Sequence, residues 1–270
     1  MTVKYENGNV IINPDDDFDL ALCLDCGQAF RWQQDEDGNW RGVAFSKSLC
    51  VTQTGDTITF FNTTPEDFEN IWSPYFDLNR NYRNIIAGYT EENLKTACAQ
   101  YPGIRILKQD EWEAICSFII SANNNIPRIK GIIERLCEAF GEDVGGGYSF
   151  PAPHKLANLT VEDLAPLRAG FRAKYIIDAA QKISSGEVDI EKIKTLPLPE
   201  AKAELLKIKG VGEKVAQCAL LYGFGRVEAF PVDVWVKRIV EELYPRGLPE
   251  CIMGTQGIAQ QYLFHWRRNI

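Results

Sequence analysis

The chain has 270 residues, a formal net charge of −8 and 45% hydrophobic residues. This length can bury a sizeable core in one or two domains, and no apolar run approaches the roughly eighteen residues of a transmembrane helix. The first ten residues lack the pattern of a signal peptide. Eight cysteines are scattered, with a single CxxC at Cys23 and Cys26 and no second pair at zinc spacing. We therefore expect a cytoplasmic protein with reduced thiols, no membrane association and no certain metal site.

Charge is distributed unevenly along the chain. Residues 1–104 hold 7 Lys and Arg against 16 Asp and Glu, a net of −9, whereas residues 105–270 hold 22 against 21, a net of +1. Overall acidity argues against a nucleic-acid partner, but phosphate binding depends on local arrays of basic side chains. The charge therefore permits a DNA partner without pointing to one.

The N-terminal part has the pattern of a β-rich domain. Four short runs rich in β-branched and aromatic residues, AFRWQQ, NWRGVAF, SLCVTQ and TITFFN, are separated by turn-forming residues. Thr64, followed by a proline, predicts a capped helix start. From Gln109 onward the pattern becomes helical, so we place the boundary near residues 105–110. The predicted fold class is α+β: an antiparallel sheet with flanking helices over residues 1–107, then an all-α domain over residues 108–270.

Polar and glycine-rich loops divide the helical part. Three asparagines, Asn123 to Asn125, follow the apolar helix WEAICSFII and suit a cap and turn between two helices. The triplet Gly145–Gly147 predicts a flexible loop and carries no chemistry by itself. Near the C-terminus, residues 257–264 predict a helix with an apolar side, in which Phe264 suits a core position.

The stretch from Leu205 to Tyr244 predicts a helix, a tight hairpin, a helix, a loop and a helix. Gly210 and Gly212 prevent a regular turn and let the backbone approach another molecule closely. A second helix is expected to start near Glu213, and the free N–H groups of its first turn favour anions. The segment therefore predicts a seat for a phosphate group.

Two side chains in this stretch are candidates for chemistry. Lys214, in the first turn of the second helix, occupies a place where lysine is most often a solvated charge. Asp233, after Phe-Pro-Val, is in a place where aspartate is most often an N-cap. Together they suggest a catalytic pair. The helix dipole favours a neutral, nucleophilic amine, and a carboxylate one loop away can stabilise a developing cation.

The hairpin, the following loop and the aspartate resemble the helix-hairpin-helix DNA glycosylases over about forty residues. The resemblance implies that Asp233 assists base excision and that Lys214 marks a bifunctional member that also cuts the strand. It implies that Gly210, Val211, Gly212 and Lys214 contact DNA phosphate. It also implies that no cofactor is required, and it allows a structural monovalent cation at the hairpin.

The stretch GQAFRW, residues 27–32, is similar to the N-terminal signature of the 8-oxoguanine DNA glycosylases. By itself, Gly27 suits a turn before a strand. The resemblance implies that its carbonyl receives the proton on N7 of the oxidised base, where normal guanine presents a lone pair. It further implies that Gln260 pairs with the Watson–Crick edge of the flipped base, with Phe264 and Cys218 on the two faces of that base.

The same resemblance extends to the cytosine left behind when the lesion is extruded. Asn123 and Arg128, in and after the asparagine turn, and Arg172 are expected to read that cytosine. Phe171 is expected to fill the gap, at a position that is commonly tyrosine in the family. Aromatic stacking survives this change, whereas a hydroxyl contact does not.

The predicted function is therefore a monomeric, DNA-associated glycosylase and lyase acting on double-stranded DNA with 8-oxoguanine opposite cytosine. The reaction is expected to pass through a Schiff base on Lys214, followed by β-elimination. Trp235 replaces a histidine and Gln217 stands where an acid is common, which affects phosphate contacts and pocket shape more than reaction type. Two alternatives remain, a glycosylase of this superfamily for another lesion and a non-catalytic DNA-binding protein, since such hairpins also occur as plain phosphate clamps.

Overall fold

The N-terminal part forms a six-stranded antiparallel sheet in the order β1-β2-β6-β5-β4-β3. A computed structural model describes residues 1–269 of the chain. The four predicted strands are confirmed as β3 to β6, whereas β1 and β2 were not predicted from the sequence. The missed signal is Asn7-Gly8, whose φ angles of 52° and 77° suit a two-residue hairpin turn. The strands are β1 (Thr2–Glu6), β2 (Asn9–Asn13), β3 (Trp32–Gln34), β4 (Trp40–Ala44), β5 (Lys47–Thr54) and β6 (Thr57–Phe61).

Alternating burial leaves one face of this sheet for a hydrophobic core. In β2, Val10 and Ile12 are fully buried, whereas their neighbours are half-buried. This face packs against the helix Leu20–Asp25 and the helical segment 65–75. The Thr64 hydroxyl caps the first turn of that segment, as predicted. The sheet is therefore one side of a small α+β core.

The rest of the described chain is mostly helical, and the α+β fold class is confirmed. None of the helices in residues 1–269 is both long enough and apolar enough to cross a membrane. A π-helical turn (Phe68–Trp72) joins α2 to α3. The helices are α1 (Leu20–Asp25), α2 (Pro65–Asp67), α3 (Ser73–Tyr75), α4 (Tyr82–Ala87), α5 (Glu92–Gln100), α6 (Glu111–Ser121), α7 (Ile126–Phe140), α8 (Pro153–Ala157), α9 (Ala173–Ser184), α10 (Ile190–Thr195), α11 (Leu198–Leu205), α12 (Glu213–Tyr222), α13 (Val234–Leu243) and α14 (Gln256–Arg268).

Helix α6 lies at the centre of the larger, helical core. Every residue from Trp112 to Ile120 is buried, and α7, α9 and α12 pack against this helix. Helices α4 and α5 also contribute to this core through Tyr82 and Leu94, although they precede residue 108. The helical core thus includes residues from both sides of the predicted domain boundary, and the boundary at residue 107 stays a prediction.

The predicted hairpin lies between α11 and α12, at residues 206–212. Gly210 has a φ of +82°, and a Cβ added there would lie 2.4 Å from the ring of Tyr175. Both the backbone angle and the tight contact require glycine at this position. Gly212 is the N-cap of α12 and makes no side-chain cap, so the first N–H groups of α12 have no capping side chain.

Candidate active site

A small cavity lies where helices α6, α12 and α14 meet the loop after α1 and the loop before α13. Six predicted site residues line it together, although they come from widely separated parts of the sequence. They are Gly27, Lys214, Cys218, Asp233, Gln260 and Phe264, and the other lining residues are Cys26, Phe118, Tyr222, Pro231 and Gln261.

Lys214 lies in the first turn of α12, as predicted, and its amine reaches back to α6. Its Nζ donates a hydrogen bond to the Oγ of Ser121 at 3.2 Å. The same Nζ lies 5.4 Å from the centre of the Phe118 ring, within cation–π range. The Lys214 side chain is therefore half-buried, with its amine near the Phe118 ring, unlike a solvated surface lysine.

Asp233 caps a helix and also lines the cavity. It is the N-cap of α13, and its Oδ1 accepts a hydrogen bond from the Val236 N–H at 2.8 Å. A carboxylate has four acceptor positions, so capping leaves capacity for a second partner in the cavity. Gln217 fixes the preceding loop, because its Oε1 accepts from the Phe230 N–H at 3.2 Å. The capping interpretation and the catalytic interpretation of Asp233 are therefore compatible.

Cys218 lies one helical turn after Lys214 and is 4% exposed. Burial raises the pKa of its thiol to about 11, with the Lys214 ammonium acting in the opposite direction and the Asp233 carboxylate in the same one. The side chain is thus a neutral thiol at physiological pH. It therefore lines the cavity with a small, polarisable and uncharged group.

Gly27, Gln260 and Phe264 form the part of the cavity expected to receive the base. Gly27 has a φ of +86°, and a Cβ added there would lie 4.0 Å from Phe264 Cε1. Gln260 is only 5% exposed, and its Oε1 has no hydrogen-bond partner among residues 1–269. An unpartnered buried carbonyl oxygen costs about 1–3 kcal/mol. An incoming N–H donor would remove that cost.

Gln28 supports the Gly27 loop and was not among the predicted site residues. It is fully buried, and its Nε2 donates to the carbonyls of Cys23 at 2.9 Å and Arg105 at 2.8 Å. Its Oε1 accepts from the Leu107 N–H at 2.9 Å. The sequence signal for Gln28 was its place in GQAFRW, but its bonds to Arg105 and Leu107 join residues that are about eighty positions apart in the chain.

An aromatic and amide chain connects the lysine to the Gly27 loop. The Phe118 ring stacks on Tyr222, with ring centres 5.2 Å apart. The Tyr222 hydroxyl donates to Gln261 Oε1 at 2.5 Å, and Gln261 Nε2 donates to the Cys26 carbonyl at 3.3 Å. Sequence reasoning missed these residues, because Phe118 and Tyr222 fit ordinary core positions and the sequence gives no sign that the amide of Gln261 is buried.

The residues expected to face the opposite strand lie together beside the asparagine turn. Asn123 is exposed with a φ of +51°, Arg128 is exposed, and Phe171 is 50% exposed. Arg172 is only 2% exposed and donates to the carbonyls of Ala122 and Asn123 at 2.6–2.9 Å. In this structure Arg172 shapes the turn that presents Asn123, and the cytosine-reading roles stay predictions.

Trp235 lies on the first turn of α13, close to Asp233 in sequence, and is 45% exposed. The Arg238 guanidinium lies 5.4 Å from its ring centre. An exposed indole stacked on a cation presents both an N–H donor and an aromatic face to a partner. The replacement of histidine by Trp235 changes the phosphate contact expected at this position, and the phosphate contacts of the hairpin residues Gly210 to Gly212 stay predictions.

The amino-acid sequence matches two family models that together span residues 10–247. Residues 10–115 match the 8-oxoguanine DNA glycosylase N-terminal domain, and residues 116–247 match the HhH-GPD superfamily base excision DNA repair protein. The N-glycosylase/DNA lyase of Saccharomyces cerevisiae is 31% identical over 276 residues, which cover 90% of this chain and 72% of that protein. The probable N-glycosylase/DNA lyase of Methanothermobacter thermautotrophicus is 29% identical and covers 95% of this chain and 96% of that protein.

A solved structure has the same overall fold. It is the 8-oxoguanine glycosylase/lyase of Clostridium acetobutylicum in complex with double-stranded DNA containing cytosine opposite 8-oxoguanine. It is 39% identical, has a TM-score of 0.92, and the match covers 100% of this chain and 98% of that chain. The fold and the lysine–aspartate cavity define the helix-hairpin-helix class of base-excision repair proteins. Within that class, the chain belongs to the 8-oxoguanine DNA glycosylase family.

Proposed function

We propose that this protein is a bifunctional DNA glycosylase and lyase that excises 8-oxoguanine paired with cytosine and then cuts the strand at the abasic site. Its partner is double-stranded DNA, and it acts as a monomer on chromosomal DNA in the cytoplasm. The reaction requires no cofactor, and a monovalent cation at the hairpin is compatible with it. The carrying observation is that Lys214 and Asp233 line the same cavity as the unpartnered Oε1 of Gln260.

The chemistry follows from the amine and the carboxylate. The lone pair of the neutral Lys214 Nζ forms a bond to C1′ as the bond from C1′ to the base breaks, and the electron pair leaves with the base. Asp233 stabilises the positive charge that develops on the sugar. Loss of the amine proton and opening of the sugar give a Schiff base. Removal of a C2′ proton then expels the 3′ phosphate, which cuts the strand.

Recognition of the base uses groups that are already in place. Guanine-type bases present N–H donors at N1 and N2 of the Watson–Crick edge, which match the unpartnered acceptor on Gln260. The oxidised base also carries a proton on N7, for which the Gly27 carbonyl is the proposed acceptor. Normal guanine would place a lone pair against that carbonyl, at a cost of about 1–3 kcal/mol. Phe264 and Cys218 enclose the two faces of the base.

The opposite strand is held at the asparagine turn in this proposal. Asn123 and Arg128 donate to the acceptors of cytosine, Arg172 orders the turn that carries Asn123, and Phe171 stacks into the gap. Backbone phosphates bind the N–H groups of Gly210 to Gly212 and of the first turn of α12.

Borohydride trapping tests this function. Wild-type protein is mixed with a duplex carrying 8-oxoguanine opposite cytosine, alongside Lys214→Gln and the matched control Lys237→Gln, whose lysine is exposed on α13. We expect a covalent band for the wild type and the control, and none for Lys214→Gln. Base release without a trapped band would mean that water attacks and that Lys214 is not the nucleophile.

A lesion panel separates the proposal from its nearest alternative. Two relatives from Bacillus subtilis are named as a DNA-3-methyladenine glycosylase and a putative one, and each matches 62% of this chain. The panel should therefore include 3-methyladenine beside 8-oxoguanine and undamaged guanine. Excision of 3-methyladenine alone would reject the proposed substrate, and duplex binding without any excision would favour a non-catalytic clamp.

A further inference from the structure

One face of helix α9 and the turn before it connects two proposed DNA-contacting segments. Phe171, Tyr175, Asp178 and Lys182 follow one another at spacings of four, three and four residues, which place them along one side of a helix. The Phe171 ring lies edge-on to Tyr175, with ring centres 6.0 Å apart. The remaining three side chains contact the hairpin at residues 206–212.

Asp178 binds the backbone of the hairpin directly. Its side chain is 11% exposed, and its Oδ2 accepts a hydrogen bond from the Lys209 N–H at 2.7 Å. Its Oδ1 lies 3.3 Å from the Nζ of the same lysine. A backbone N–H bound to a buried carboxylate is a strong, charge-assisted hydrogen bond. The carboxylate therefore fixes the hairpin one residue before Gly210.

Lys182 and Tyr175 hold the hairpin on either side of that point. The Lys182 ammonium lies 3.7 Å from Asp178 Oδ2 and donates a hydrogen bond to the Lys207 carbonyl. The Tyr175 ring packs so closely under Gly210 that a Cβ there would lie 2.4 Å from it. The three side chains thus grip residues 207, 209 and 210.

The hairpin position matters for DNA binding because the proposed phosphate seat consists of the hairpin and the first turn of α12, which begins at Glu213. A change in the hairpin backbone would turn its N–H groups away from the phosphate that they are proposed to bind. Asp178, Lys182 and Tyr175 do not line the cavity that holds Lys214 and Asp233. Their effect is therefore expected on DNA binding, through the hairpin, and not on the chemistry in the cavity.

We propose that Asp178 is a positioning residue for DNA binding, which holds the hairpin in its phosphate-binding form through the Lys209 N–H. Lys182 completes this clamp, and Tyr175 links it to the gap-filling Phe171. The negative charge of Asp178 lies near a phosphate seat, but two lysines offset it. The inference rests on the proposed function only in taking the hairpin as the seat for DNA phosphate.

Binding of an undamaged duplex tests the clamp without depending on the lesion. Fluorescence anisotropy gives the Kd for the wild type, Asp178→Ala and Asp178→Asn. We expect Asp178→Ala to weaken binding about tenfold, since it removes a hydrogen bond to a charged group. Asp178→Asn keeps an acceptor for the Lys209 N–H, so its Kd should stay within about threefold of the wild type.

A kinetic measurement distinguishes positioning from a general loss of structure. At saturating DNA, single-turnover excision by Asp178→Ala should stay within about threefold of the wild-type rate, because the cavity residues are untouched. Lys182→Met provides a second variant, which leaves the Asp178 hydrogen bond in place and should weaken binding about threefold. Glu187→Gln is the matched control, since the Glu187 side chain pairs with Lys182 at 3.3 Å and makes no hydrogen bond or ion pair with residues 206–212.

An unchanged Kd for Asp178→Ala, or equal weakening by Glu187→Gln, would overturn the inference. So would an Asp178→Asn variant that binds as weakly as Asp178→Ala. A different outcome would reject only the proposed function. In that case the wild type does not excise 8-oxoguanine, but its binding to duplex DNA still depends on Asp178, so the positioning role of Asp178 is retained.

Discussion

The Nζ of Lys214 donates a hydrogen bond to the Oγ of Ser121, 3.2 Å away, and so ties the first turn of α12 to the last turn of α6. The Ser121 hydroxyl donates its own proton to the Phe118 carbonyl at 2.8 Å. The oxygen therefore faces the lysine as an acceptor. This bond uses one N–H of the amine and leaves free the lone pair that attacks the sugar in the proposed reaction.

Removal of this acceptor should leave the amine less well placed. We expect Ser121→Ala to slow covalent trapping at saturating DNA by about three- to tenfold, with little change in duplex affinity. Ser121→Thr keeps the hydroxyl and should restore most of the rate. A Ser121→Ala variant that traps DNA at the wild-type rate would show that the contact has no catalytic effect.

Substitution of Asp233 should separate its two functions. Asn and Asp are comparable N-caps, whereas Ala at an N-cap costs about 0.5–2 kcal/mol. Asp233→Asn should therefore lose excision while keeping the wild-type free energy of unfolding. Asp233→Ala should lose excision and also have a lower free energy of unfolding. Chemical denaturation and single-turnover excision measure the two effects. Full excision by Asp233→Asn would remove the carboxylate from the mechanism.

Gln260 should be needed for damaged bases and dispensable once the base is gone. Gln260→Leu removes the acceptor for the Watson–Crick edge, so kcat/KM for 8-oxoguanine excision should fall by at least about tenfold. Strand cutting on a preformed abasic site should change by less than about threefold, because no base occupies the pocket. Equal losses on both substrates would assign Gln260 to the fold and not to recognition.

The Cys218 thiol should make stability depend on pH in the alkaline range. Its pKa is raised from 9.0 to about 11 in the folded protein, mainly by burial. Between these values the unfolded chain has released a proton that the folded chain retains, so unfolding becomes easier as pH rises. The effect is absent below about pH 9 and reaches about 2–3 kcal/mol near pH 11.

The measurement for this prediction compares the wild type with Cys218→Ala. Denaturation at a series of pH values should show that the wild type loses free energy of unfolding relative to Cys218→Ala as pH rises above 9. A difference that does not vary with pH would contradict a buried thiol with a raised pKa.

Sequence reasoning was most informative where local chain geometry carries the chemistry. The two glycines, Lys214 and Asp233 are linked by short spacings in one segment, so helix and loop rules place them correctly. The β1–β2 hairpin has an equally local signal in Asn7-Gly8, which is typical of a two-residue turn. The local pattern around Thr64 gave the correct cap.

The supporting residues were not predictable in the same way. The side chain of Gln28 contacts residues 105 and 107, and the Phe118–Tyr222 stack joins two helices that are far apart in the sequence. Such contacts depend on how helices pack, and an apolar or amide residue in a helix gives no sign of its partner. Asp178 belongs to the same group, since a helical carboxylate usually faces solvent.

The bond between Gln261 Nε2 and the Cys26 carbonyl joins parts of the chain that are 235 residues apart. The cavity that holds Lys214 and Asp233 is therefore complete only when α14 packs against a loop that was synthesised long before it. A growing chain that has emerged as far as α13 already contains the hairpin, Lys214 and Asp233, but it lacks Gln260 and Phe264. In the proposed function, the two catalytic residues are therefore synthesised before the α14 residues that select the base.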